Sequence, residues 1–396
     1  MKQIYTLKAL QQFQCLAGDC PNHCCHTYDV AIDEETMTKW QQSDSNDIFM
    51  GYVEKPDSLD HYIFKHKANG DCIAIMDSGL CSIQQQFGHE TLPQICQLYP
   101  RYKKENSWRQ LNSLALSCPE VVSLTLFSNK DGAALEGMNH PKNVSTPISN
   151  PFRQVSMQLD EMTNEVMQLD KFPINVKLFH LGHILSEVYR VVDTNQLSTQ
   201  VMAKLIGQPK QKLYDINIAY KQNRIKPHPV TAGSIWYLIF KFYCENRIES
   251  SNIDITKSVL FQYADKSLSS NVEFEEFYKR IAASAEKSRS EIRQRYGKVF
   301  NNYLKISFLN WGFPWEPMME NHIAGFLCAC IPFTIIQLLL WMKYADTGCL
   351  DDEYVIEVIY TVERICGHSD KMLAMLSTNT QLLQLNAYYD CLIESF

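Results

Sequence analysis

Beyond residue 151 the apolar residues fall at helical spacing. Val176, Phe179, Leu181, Leu185, Val188 and Val192 make one stripe at 3.6 residues per turn, and further apolar stretches recur at 235–243, 299–309, 323–342 and 354–365. Each predicts a helix that buries at least one face. Alternation at period two is scarce. Its best run, 27–32, sets Tyr28, Val30 and Ile32 against Thr27, Asp29 and Ala31, and predicts one short strand. Asp33, Glu34 and Glu35 then precede 36–42, which predicts a helix with an acidic first turn. Between these two regimes, 128–151 concentrates Gly, Pro, Asn and Ser with little periodicity. The pattern therefore predicts a mainly α protein. Residues 1–128 form a loop-rich cysteine unit, 129–151 a linker or long loop, and 152–396 a larger helical domain on which the first unit packs.

The stretch 323–342 is twenty residues without a charge, long enough to span a bilayer. Gly325, Pro332, Thr334 and Gln337 interrupt it, and beyond Lys343 no basic cluster marks a flank. It predicts a buried core helix rather than a membrane span, with a kink at Pro332.

Composition narrows the function. The 396 residues are 45% apolar, enough for two ordinary cores. Acidic residues outnumber basic ones 44 to 37, a net charge of −7 that disfavours a nucleic-acid partner. Residues 1–10 hold neither a signal-peptide apolar run nor a small-residue cleavage site, so a cytoplasmic protein is expected. No Gly-x-Gly fingerprint, phosphate-binding Gly-Lys-Ser/Thr loop or serine elbow occurs.

Cysteines supply the candidate chemistry. Cys15, Cys20, Cys24 and Cys25 crowd into eleven residues, and Cys72, Cys81, Cys96 and Cys118 follow. In a reducing compartment such a set reads as metal or cluster ligands before it reads as disulfides. Cys15-x4-Cys20-x3-Cys24-Cys25 can wrap either a zinc ion or an iron–sulfur cluster, with four or fewer of the eight ligating and Cys20 and Cys24 preferred. His23 and His26 keep a mixed Cys/His zinc site open. Cys244, Cys328, Cys330, Cys349, Cys366 and Cys391 are scattered among helical stretches and read as small buried hydrophobes, while His180 and His183 read as packing or surface residues.

Four segments carry a family resemblance: Phe13-Gln-Cys-Leu-Ala-Gly-Asp-Cys-Pro-Asn-His-Cys-Cys25, Gly79-Leu-Cys-Ser-Ile83, Phe87-Gly-His-Glu-Thr-Leu92 and Cys96-Gln-Leu-Tyr-Pro-Arg101. Together they resemble the flagellin lysine N-methylase family, whose N-terminal part is similar to proteins with a cysteine-rich zinc-or-iron chelating motif. The motifs cover residues 10–120, and the helical remainder matches in general character. The resemblance implies methylation of lysine ε-amino groups on flagellin, with S-adenosylmethionine as donor and dependence on a 4Fe-4S cluster, and so favours a cluster over zinc. A radical Cys-x3-Cys-x2-Cys motif is not met, because Cys25 follows Cys24 directly, and direct displacement stays open beside radical chemistry.

On that reading Arg101 would grip the donor carboxylate. Asp33, Glu34 and Glu35 would attract the substrate ammonium and Tyr28 would orient it; their plainer reading is a charged helix start. The rival functions are a zinc module that binds a partner and an iron–sulfur redox or carrier protein. Membrane insertion is not expected, and homo-oligomerisation is left open.

Overall fold

The computed structural model describes residues 3–26, 28–105, 109–128, 131–136, 151–193, 199–222, 224–246, 253, 268–314, 322–367, 371–379 and 388. Helices dominate them, so the fold is mainly α. The chain divides into two units, Met1–Leu124 with Lys130–Gly137, and Thr125–Asn129 with Met138–Phe396.

The first unit contains β1 (Gln3–Leu7), α1 (Glu34–Gln41), α2 (Asn46–Tyr52), β2 (Val53–Glu54), β3 (Ile63–Phe64), α3 (Ser82–Phe87), α4 (Gln94–Leu98), β4 (Arg101–Glu105), β5 (Arg109–Leu114), α5 (Pro119–Val122) and β6 (Leu135–Glu136). Its sheet has the order β4-β5-β1-β6, and β2 pairs with β3 separately. β1 runs parallel to β5, with Gln3 opposite Arg109 and Thr6 opposite Asn112; β4 and β6 are antiparallel to their neighbours. Tyr5 and Leu7 on β1 and Leu111 and Ser113 on β5 are buried while Ile4 is exposed, the alternation of a half-buried sheet, and Leu114 at the end of β5 is buried as well.

The strand expected at 27–32 is a correction. Thr27 lies outside the described residues, and the rest forms no ladder, only a bridge from Ala31 to Ile63 flanked by Ile32 N–H to Tyr62 O and Phe64 N–H to Val30 O. Of the stretch 129–151, Leu135 and Glu136 add an edge strand to the sheet, and 137–150 lie outside the described residues.

The core beside this unit's cysteines is aromatic. Trp40 of α1 stacks on Phe49 of α2 with ring centroids 4.9 Å apart, and its indole N–H donates to Thr91 O at 2.9 Å. Phe64, Ile83 and Leu92 close around them, with Cys25, Cys81 and Cys96 packed at the margin and Cys72 inside. Burying such rings stabilises by roughly 2–3 kcal/mol each. The ring cluster thus gives the thiol-bearing loops a rigid backing.

The second unit contains α6 (Pro151–Gln168), α7 (Ile174–Asp193), α8 (Thr199–Ile206), α9 (Pro209–Lys221) and α10 (Pro229–Asn246), followed by helices Asn271–Asn310, His322–Thr347, Asp352–Cys366 and Lys371–Thr378. The stripe expected on α7 is buried, with Val176, Leu181, Leu185 and Val188 each at most 2% exposed. The uncharged stretch 323–342 is the core helix its interruptions predict: every residue from His322 to Met342 is buried. α7, α10, Asn271–Asn310, Asp352–Cys366 and Lys371–Thr378 pack around it. Pro332 lies inside this helix, and two residues on Thr334 Oγ1 donates to Cys330 O at 3.0 Å. Gly233 lets α10 touch Asn271–Asn310, since a Cβ there would sit 1.9 Å from Phe274 O. Asn271–Asn310 begins with a capping box, Ser270 and Glu273 each bonding the other's backbone N–H.

Candidate functional site

In the first unit the chain brings seven of its eight cysteines into mutual influence. Cys20 follows a tight 3-10 turn, Ala17–Asp19, its N–H donating to Ala17 O. Cys72 N–H donates to Cys25 O at 2.7 Å, which ties the cysteine loop to the segment 65–81. Cys81 and Cys118 stand at the N-caps of α3 and α5, and Cys96 lies within α4. A thiolate at a helix N-terminus is favoured by the unpaired N–H groups there; those of Val121 and Glu120 act on Cys118 in that sense.

Cys24 is common to the set. Its hydrogen bond to Cys25, burial and the charges of Cys24, Cys72 and Cys96 push the Cys25 thiol far up. Burial, with Cys81 and Cys24 adding, raises Cys72 to about 11. Burial with Cys24, Cys72 and Cys81 raises Cys96, and burial with Cys20 and Cys24 raises Cys118 to about 12. Crowded sulfurs of this kind oppose one another's ionisation unless a cation stands among them. Cys15 is exposed, its sulfur accepting the Ala17 N–H at 3.4 Å.

Two glycines permit this convergence. A Cβ on Gly18 would lie 2.9 Å from Ser78 O, and one on Gly79 would lie 3.3 Å from Gly18 Cα. The backbones ahead of Cys20 and Cys81 touch there, and Gly79 takes a φ of +76° that other residues rarely adopt.

Among the described residues no three His, Cys, Asp or Glu side chains close into a single-ion chelate. A zinc ion with Zn–S bonds of about 2.3 Å needs sulfurs about 3.8 Å apart. A cluster takes each thiolate on a different iron and so accepts a wider spread. The donor chemistry, soft sulfurs gathered about Cys24, suits a thiophilic group.

The histidines of the loop are engaged by an aspartate. Asp71 Oδ1 lies 2.8 Å from His26 Nδ1 and 3.9 Å from His23 Nε2, and Asp71 Oδ2 accepts from Asn69 Nδ2 at 2.7 Å. Burial works against the Asp71 charge, yet these bonds hold its carboxyl below the usual range. Sequence reading passed over Asp71, although the segment Gly70-Asp-Cys72 was in view.

Tyr28 lies near the thiols: its phenol and Cys24 both act on the buried Tyr99, whose hydroxyl pairs with Ser117 Oγ at 2.9 Å. Asp33 caps α1, accepting the Thr36 N–H. Glu34 is exposed in the same turn, and Glu35 pairs with Lys39 at 2.7 Å and accepts from Gln94 at 3.3 Å. The acids thus occupy the charged helix start. Arg101 is exposed on β4; its guanidinium donates to Phe13 O at 3.1 Å and stacks 4.8 Å over the Phe13 ring.

In the second unit Cys328, Cys330 and Cys366 are buried, as expected of small hydrophobes; Cys244 is half-buried, Cys349 exposed, and Cys391 lies outside the described residues. His180 is buried and His183 exposed. Ser156 Oγ lies 2.9 Å from His322 Nε2, and Tyr189 OH lies 2.9 Å from Nδ1. Tyr189 OH also accepts the His322 backbone N–H at 2.8 Å, and the trio ties α6 and α7 to the start of His322–Thr347.

Residues 160–388 match the model of the FliB lysine N-methylase C-terminal domain. The chain is 22% identical over 392 residues to the lysine-N-methylase of Salmonella typhimurium strain LT2, covering 91% of each chain. It is 22% identical over 391 residues to the lysine-N-methylase of Salmonella choleraesuis, covering 91% of this chain and 90% of that one. The flagellar biosynthetic protein FliU of Salmonella muenchen is 28% identical over 139 residues, 31% of this chain and 76% of that protein. No solved structure matches.

Proposed function

The chain belongs to the family of the FliB lysine N-methylase C-terminal domain, and from that premise we propose that it is a protein-lysine N-methyltransferase that moves methyl groups from S-adenosylmethionine to surface lysines of flagellin with the help of an iron–sulfur cluster. Two relatives named lysine-N-methylase, matched over nine-tenths of their length, support the reaction. The name of the FliU relative supports the flagellar substrate. The observation that carries the cluster is the gathering of thiols about Cys24.

Transfer from a sulfonium to an amine is an in-line displacement. The lysine nitrogen lone pair forms the new N–C bond as the S–C bond breaks, the sulfur leaves as a neutral thioether, and the nitrogen must have shed a proton to water or a nearby base beforehand. When bound, the cluster would supply Lewis-acidic iron for the amino and carboxylate groups of the donor. Cys20, Cys24, Cys25, Cys72, Cys81, Cys96 and Cys118 form the set from which its ligands are drawn. Asp71, through His26, fixes the loop that presents Cys24 and Cys25, and Tyr28 and Cys24 both act on the buried Tyr99 hydroxyl. Arg101, with one N–H on Phe13 O, has further donors for the donor carboxylate.

The test is anaerobic purification with iron and acid-labile sulfide analysis, followed by mass spectrometry of flagellin co-expressed with the chain. Iron with sulfide and mass added to flagellin in single-methyl steps supports the reading. Stoichiometric zinc without sulfide removes the cluster, and unmodified flagellin beside an intact cluster and donor removes the methyltransferase.

A further inference from the structure

A cavity of about 420 Å³ opens beside the cysteine loop, lined in part by His23, Lys67, Asp71, Ile75, Met76 and Asp77. We propose that this cavity receives the side chain of the lysine to be methylated, and that Asp77 at its rim selects the cationic end. The inference rests on the methyltransferase reading and assigns that reaction an acceptor site.

Position is the first argument. His23 precedes Cys24, Asp71 precedes Cys72, and Ile75 is bridged to Cys81, so the inner wall is built from immediate neighbours of three of the gathered thiols. The opposite side is solvent-facing, with Ala68, Asn69 and Asp77 exposed. An acceptor on the surface of another protein has to arrive by such an open side, whereas a small donor does not.

Chemistry is the second. Ile75 and Met76 offer apolar surface to the four methylenes of a lysine stem. The lining holds two carboxylates against one ammonium, Lys67, whose Nζ donates to Ile75 O. Asp71 is likewise committed to His26 and Asn69. Asp77 makes no hydrogen bond or ion pair among the described residues and is the carboxylate left to meet an incoming cation. The excess of negative charge would repel the carboxylate of a donor molecule, which argues against the cavity as the donor's own site.

The experiment uses the full metal-loaded chain and two variants, Asp77→Asn and Asp77→Lys. A flagellin peptide bearing the target lysine is compared with its norleucine counterpart, first by direct binding and then, for the lysine peptide, by turnover. Wild type should prefer the lysine peptide; Asp77→Asn should weaken it about threefold and Asp77→Lys about tenfold, since an exposed ion pair contributes little and a reversed charge adds repulsion. KM for flagellin should rise in step, with donor KM and metal content unchanged. Lysine-peptide binding equal across the three proteins overturns the assignment, and a rise confined to donor KM gives the cavity to the donor instead. Lysine preference with no turnover at all would remove the methyltransferase reading while leaving the cavity a lysine site.

Discussion

The Asp33 carboxylate accepts the backbone N–H of Gln94 at 2.9 Å, fastening the start of α1 to the start of α4 two residues ahead of Cys96. The same side chain accepts from Thr36 N and Thr36 Oγ1, each at 2.9 Å. One carboxylate thereby caps a helix and sets the position of a thiol.

Asp33→Ala should destabilise the first unit by about 1–3 kcal/mol, the loss of a helix cap together with a charge-assisted bond between segments. Burial raises the Asp33 pKa, but the N–H groups of Gln94 and Thr36 outweigh it and lower the net value. A depressed carboxyl contributes stability above its unfolded pKa near ~3.9 and loses it as pH falls through the folded value. The variant and wild type should therefore converge in urea midpoint in strong acid and differ most at neutral pH. A constant difference across pH would show that the carboxylate charge is not what holds Gln94.

Gly18→Ala drives a methyl group toward Ser78 O, a backbone atom that cannot swing aside. Overpacking of this kind costs about 1–3 kcal/mol. Because the strain separates the loops that carry Cys20 and Cys81, bound metal per chain should fall together with the melting temperature. Full metal content in a destabilised Gly18→Ala protein would disconnect the glycine contact from the thiol set.

Cys24→Ser should abolish the brown colour of anaerobic protein, as should Cys20→Ser, whereas Cys15→Ser should keep it. Cys24 acts on four other thiols, whereas Cys15 has its sulfur on a local N–H and acts on none of those four. Iron and sulfide assays on the three variants decide it. Loss of colour in Cys15→Ser alone would reverse the assignment of ligands.

Acid stability of the second unit sets opposite groups against each other. Burial lowers His180 and His322 to about 4 each, with Lys212 and then His183 adding to the effect on His180. Both imidazoles are at most 2% exposed. Between pH ~6.5 and 4 the unfolded chain binds protons the folded one refuses, so each costs stability as pH falls. Glu363 runs the other way. Burial raises it to about 7 against the Tyr303 hydroxyl, which donates to Oε1 at 2.5 Å, so its contribution grows as pH falls toward ~4.5. Wild type should show a shallow net slope from pH 7 to 5. Glu363→Gln, which keeps an acceptor for Tyr303, should uncover the imidazoles and lose on the order of 2–4 kcal/mol over that range. An equally shallow slope in the variant would show that the two histidines titrate in the folded state.

The helical unit was legible because burial there is periodic and local: Val176, Leu181, Leu185 and Val188 fall on one face within a few turns, and Pro332 with Gln337 marks 323–342 as a protein core. The sheet was not. β4 is Arg-Tyr-Lys-Lys-Glu, a charged edge strand with no apolar alternation to detect, and β1 finds β5 about a hundred residues away. In the candidate site the cysteines declared themselves by density. Asp33 showed only as a helix start and Asp71 not at all, because each also acts through a bond to a distant segment, and a single aspartate carries no pattern that points across 61 or 45 residues. Gly18 and Gly79 were visible in the motifs, but their use, two backbones in contact, exists only in three dimensions.

The His322–Thr347 helix, buried from His322 to Met342, also constrains how the chain comes off the ribosome. Its mean hydropathy of 2.3 over eighteen residues would let it partition into lipid or stick to other nascent chains if it emerged alone. It does not emerge alone: α7, α10 and Asn271–Asn310 are synthesised before it, while Asp352–Cys366, Lys371–Thr378 and Tyr388, whose hydroxyl pairs with Thr334 Oγ1, follow. The order of elements makes translation itself a chaperone for the most adhesive segment, and a circular permutant that began at this helix would forfeit that protection.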